Sequence, residues 1–153
     1  MLGHESMITD SRQSARTLLD GAVDFHGHLG PFLILGMRMG VIARSILKPQ
    51  SQDSLNAVVF VRSTPPASCT IDGIQVASKC TLGRGTIRVV EASDCIVGRF
   101  RLEGRTCTIT VRPKVLNQLF EGVNTAAGGA LVKMASDVMT ASDEDLFEIE
   151  SSK

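Results

Sequence analysis

"HGHLGPFLILGMRMGVIARSIL", residues 26–47, decides how the rest of the chain must be arranged. Pro31 suits the first turn of a helix, where its missing N–H would have no partner in any case. From there to Leu47, just before Pro49, the apolar residues fall on nearly every side: Phe32, Leu33, Ile34, Leu35, Met37, Met39, Val41, Ile42, Ile46 and Leu47. A helix without a polar face belongs at the centre of its fold. One small domain can hardly cover it from every direction, so the pattern predicts a second copy of the chain against it. Gly36 and Gly40 would let another backbone approach. Arg38 and Arg44 make the run too charged, and its length too short, for a membrane span.

Upstream, residues 10–23 read as an amphipathic helix, with Ala15, Leu18, Leu19, Ala22 and Val23 on one stripe and Thr9 or Asp10 as its cap. Residues 1–9, with His4, are expected to be a flexible N-terminus. The helix should end near Asp24, which leaves "FHGHLG" as a loop. Downstream, "NAVVFVRS" (56–63) reads as a buried strand and residues 68–78 as a short helix capped by Ser68 or begun at Cys69. Residues 86–92, 95–103 and 105–113 read as three strands, with "EGR" at 103–105 as a hairpin turn. Helix returns from Lys114, Asn124 caps a further helix, and the tail "ASDEDLFEIESSK" opens on a capping pattern and ends polar. This order predicts an α+β fold, one domain over residues 10–150 with an antiparallel sheet covered by helices, and the apolar excess of residues 31–47 adds an expected intertwined homodimer.

The 153 residues carry 16 Lys plus Arg against 16 Asp plus Glu, a net charge of zero. With no Trp or Tyr for base stacking, this gives no sign of a nucleic-acid partner. No membrane partner is expected either. Cys69, Cys80, Cys95 and Cys107 form no C-x-x-C pair, which excludes a zinc ribbon or a thioredoxin motif. The first ten residues show no basic-then-apolar signal, so a cytoplasmic protein with reduced thiols is expected.

Chemistry could gather at a few positions. His26 and His28, one glycine apart, could converge on a metal, or one could cap the helix while the other packs in the core. Cys69 at a helix start would favour thiolate, suited to metal binding or reaction, and the alternative is a small apolar filler. Asp72, three residues on, could be a ligand, a base or a helix cap. Gln75 lies one turn further and could hydrogen-bond a ligand. Cys80 precedes "TLGRG", which reads as a simple turn, since the Gly-Lys-Ser/Thr ending of a P-loop is missing. Arg38, a charge in an apolar helix, needs either a salt bridge or an anion. Cys107 shares a strand face with Ile109 and Val111 and reads as core.

Two stretches, "FHGHLGPFLILGMRMG" and "CTIDGIQVASKCTLGRGTI", together with the closing "DEDLFEI", resemble the FmdE family, whose name comes from formylmethanofuran dehydrogenase. Its pattern is F-H-G-H-x-C-P-G, a G-x-R-x-G helix, C-x-x-D-(A/G)-I-Q, then Cys-Thr and a G-(K/R)-G loop. The resemblance covers about residues 10–150. It implies a homodimer with a His- and Cys-lined cleft, at positions matching His26, His28, Cys69, Asp72, Gln75 and Cys80. Here Gly30 stands at the pattern's Cys and Phe32 at its last Gly, so one sulfur ligand is lost. The C-terminal zinc finger of several members is not expected within these 153 residues.

On this resemblance, His26, His28 and Cys69 are expected to hold Zn2+ or a similar divalent metal. Cys69 and Asp72 would be the catalytic candidates, and Gln75, Cys80 and Arg38 further cleft residues. The expected function is a small metal-binding protein, as an enzyme or without turnover, linked to formyl and one-carbon or molybdo/tungsto-enzyme metabolism. The alternatives are an accessory or metal-delivery component of a larger redox enzyme complex, and a metal-free thiol protein.

Overall fold

The computed structural model describes residues 3–51, 54–127 and 129–152. Helix α2 runs over Pro31–Leu47, as its sequence predicts, and 12 of its 17 residues are buried. It lies against α1 (Gly3–His26), α3 (Cys69–Ser78) and α5 (Ala130–Thr140), and against strands β3 (Val97–Leu102) and β4 (Arg105–Val111). The chain therefore covers by itself most of the surface that suggested a second copy. Val41, 44% exposed, marks the strip left open.

That coverage depends on backbone meeting backbone. A Cβ on Gly36 would stand 1.9 Å from the Thr70 carbonyl oxygen, and one on Gly73 would stand 2.1 Å from that of Leu33. The glycine pair at 36 and 40 thus faces α3 of the same chain. The intimate fit brings the first turn of α3 beside the loop that leads into α2.

Strand alternation supplies the other layer. Gly98, Phe100 and Leu102 of β3, with Cys107, Ile109 and Val111 of β4, point into the core, and their neighbours face out. Glu103 and Gly104, both at positive φ (49° and 83°), form the two-residue turn between these strands. The sheet has the order β2-β1-β3-β4-β5, with β1 as Asn56–Val61, β2 as Ile87–Glu91 and β5 as Phe147–Ser152. The expected α+β domain with a helix-covered sheet is present. One pair differs: β1 and β2 run parallel, because α3 carries the chain back along the sheet between them.

Three boundaries also differ from the sequence reading. α1 begins at Gly3, so Thr9 and Asp10 lie inside it, and it continues through His26. Asn124 caps nothing, being within α4 (Pro113–Thr125). The tail forms a short α6 (Asp143–Leu146), capped by the Ser142 side chain, and then β5. An edge strand anchored by Phe147 alone has no alternating pattern to announce it. No helix among the described residues is long and apolar enough to cross a membrane.

Gly73→Ala should lower stability by about 3 kcal/mol in denaturant titration, because backbone atoms have no rotamer by which to yield. Gly21→Ala, in open space on α1, should gain roughly 0.5–1 kcal/mol. A Gly73→Ala protein as stable as the parent would contradict the close approach of the two helices.

Candidate functional site

The end of α1, the loop into α2 and the first turn of α3 meet at one place. The Gly27 N–H closes the last turn of α1 on the Val23 carbonyl at 2.7 Å. Gly27 then turns the chain at φ +105°, a region costly for other residues. The turn lays the His28 ring beside that of His26, with centroids 4.6 Å apart and planes tilted by 44°. His28 is exposed, whereas the His26 side chain is only 11% exposed.

His26 reaches across to α3. Its Nδ1–H donates to Asp72 Oδ2 at 2.7 Å. An ionised carboxylate can only accept, so a neutral ring carries its proton on Nδ1 and a lone pair on Nε2. His26 Nε2 is buried and has no hydrogen-bond partner. Leaving such an atom unpaired costs on the order of 1–3 kcal/mol, which singles it out as the unusual atom of this region. The Thr70 hydroxyl, equally buried and unpartnered, went unnoticed in the sequence. A threonine in the first turn of a helix carries no signal of its own.

The surroundings of Cys69 oppose the expected thiolate. Burial, and secondly the charge of Asp72, push its thiol above the ordinary value, and a hydrogen bond from its own backbone offsets this only in part. The first amides of α3 are already engaged: those of Cys69, Thr70 and Ile71 donate to Pro66, Ala67 and Ser68 carbonyls at 3.0–3.1 Å. Asp72 therefore serves His26 and opposes a negative sulfur at Cys69.

The other candidates sit elsewhere. Cys80 is fully buried, with its thiol donating to the Leu55 carbonyl at 3.3 Å and its pKa raised by burial, so it packs in the core and lines no cleft. Gln75 Oε1 accepts the Leu82 N–H at 2.9 Å and pins the following loop. Arg38 takes the salt-bridge alternative: it donates to the Val138 carbonyl at 2.8 Å, to the Ala141 carbonyl, and to Asp143 Oδ1 at 2.6 Å. Cys107 is buried, as its strand position predicts, and burial raises its pKa. Among the described residues, no three His, Cys, Asp or Glu side chains gather as a metal-ligating group.

The sequence model of the family described as "FmdE, Molybdenum formylmethanofuran dehydrogenase operon" matches residues 25–148, which hold every residue of this site. The chain belongs to the FmdE family. It is also 40% identical over 72 residues to a "Probable S-adenosyl-L-methionine-binding protein" of Archaeoglobus fulgidus. That match covers 46% of this chain and 19% of the relative, so the two share one segment of a much longer protein.

Proposed function

We propose that this FmdE chain binds a divalent metal ion, zinc in the first instance, with His26 Nε2 as the anchoring ligand and His28 and Cys69 as further ligands. The observation that carries the reading is the buried, unpartnered Nε2 with Asp72 fixed behind it. Metal-ligating histidines commonly donate their other N–H to a carboxylate in this way. The residues fit a metal at the anchor and at its carboxylate support, but they form no closed three-ligand cage. A Cβ at Gly30 would lie 3.8 Å from His28 Cδ2 and Nε2, so the Cys of the family pattern would add its sulfur on the His28 side. With glycine there, that side lacks the sulfur.

A bound zinc would supply Lewis-acid activation of water toward a carbonyl or formyl group. The chain's own part is to hold the proton on His26 Nδ1, to balance a cation with the Asp72 carboxylate, and to shield Nε2 from bulk water. A cation beside Cys69 would also favour the thiolate that burial and Asp72 now oppose. The family's description supports a role linked to formylmethanofuran dehydrogenase, as a small enzyme or as an accessory component. A second reading rests on the same buried Nε2: the Asp72–His26 pair acts without metal as a general base through that nitrogen.

Homodimerisation belongs to the same proposal. A groove of about 790 Å³ follows the open strip of α2, where Leu18, Val41, Ile46, Met139 and Ile149 give it an apolar wall. A second copy is the occupant expected from the sequence. Light scattering should give twice the chain mass at micromolar concentration, and a monomer would remove this part of the proposal.

Zinc titration of untagged protein against a chromophoric chelator tests the metal. Asp72→Asn should weaken binding by about 10–100-fold, and His26→Ala by at least as much. A parent that binds no zinc would leave the metal-free base, and a His26→Ala protein that binds like the parent would exclude His26 as a ligand.

A further inference from the structure

The face of the sheet turned away from α2 carries a cluster that the histidine site does not use. Register sets Val58 of β1 opposite Arg88 of β2 on one side and opposite Arg99 of β3 on the other. Two guanidinium groups therefore flank a short side chain on the strand between them. Arg101, two residues along β3 on the same face, lies opposite Asn56 and Thr106. Between these side chains opens a hollow of about 620 Å³, within the range of small-ligand pockets. Ser54 and the Glu103–Gly104 turn close one end.

Charge in this hollow is unbalanced. Three arginines line it against one carboxylate, that of Glu103. Arg88 and Arg101 are exposed and have neither an ion pair nor a hydrogen bond among the described residues. Arg99 lies over the Phe60 ring at 5.2 Å, which holds its planar group in place. Three like charges gathered on one face of the sheet favour an anion between them. The fork of N–H donors on a guanidinium matches phosphate oxygens two at a time, and several such forks on one hollow suit more than one phosphate. The Asn56 amide, exposed and unpartnered among the described residues, adds a neutral donor. Zero net charge over the whole chain conceals this local excess.

We propose that this hollow is a binding site for a small phosphorylated molecule of about diphosphate size. It is separate from the His26 site, and the two should behave independently.

Calorimetric titration of the full chain with inorganic pyrophosphate, at about 0.15 M NaCl to screen weak surface attraction, tests it. Saturable binding is expected, with Arg88→Gln and Arg101→Gln each weakening it by about tenfold or more. Both variants should keep the parent's circular dichroism and zinc affinity, and Lys133→Gln on α5 should bind pyrophosphate like the parent. Absence of saturation in the parent, or parent-like binding by both arginine variants, would overturn the proposal. Tighter binding of citrate than of pyrophosphate would overturn the phosphate class. Much tighter binding of a single-stranded oligonucleotide would overturn the small-molecule class.

Discussion

The contact on which the rest of the structure depends is the one between α2 and α3, where Gly36 and Gly73 let two helix backbones touch. Side chains at either position would push the helices apart. α3 would then carry Asp72 away from the end of α1, and the 2.7 Å bond to His26 could not form. The same contact seals the centre of the fold, because α3 covers a side of α2 that the sheet cannot reach. Packing and site geometry thus share one constraint. Close-packed interiors do not deform gradually, so a small displacement here would be felt at the histidines.

Much of the architecture could be read from the sequence because strong patterns wrote it. Pro31 and the all-round apolar run placed α2, and alternation around Cys107 placed the inner face of β4. What escaped had physical reasons. The parallel pairing of β1 and β2 is decided by where α3 takes the chain, which is a tertiary matter. The edge strand β5 buries only one residue and so carries no period. The length of α1 escaped because the apolar stripe that marks a helix starts later than the helix does.

The site was legible in its membership more than in its chemistry. His26 and Asp72 were both singled out, and the structure brings them together across 46 positions of chain. Which nitrogen would be left over, and that it would be buried, depends on atomic placement that no spacing encodes. Cys69 shows the opposite lesson. A helix start suggests a thiolate, yet the amides there are spent on the preceding turn and a carboxylate lies one turn away. Cys80 and Gln75 matched a motif, and the structure sets one thiol in the core and one amide oxygen on a loop N–H. The family match over residues 25–148 covers that scaffold and the His26–Asp72 pair alike, so motif positions by themselves do not separate the two.

The central claim is that α3 presents Asp72 to His26 so that the imidazole is fixed with Nδ1 protonated and Nε2 free to act. Nitrogen-15 NMR of the histidine side chains in metal-free protein reads this directly, at about pH 8, above the ordinary imidazole range. The account predicts that His26 shows one tautomer, with its proton on Nδ1 and a proton-free Nε2, while exposed His28 shows the averaged shifts of a ring in solvent. A His26 ring with its proton on Nε2, or one averaging between tautomers as His28 does, would contradict it.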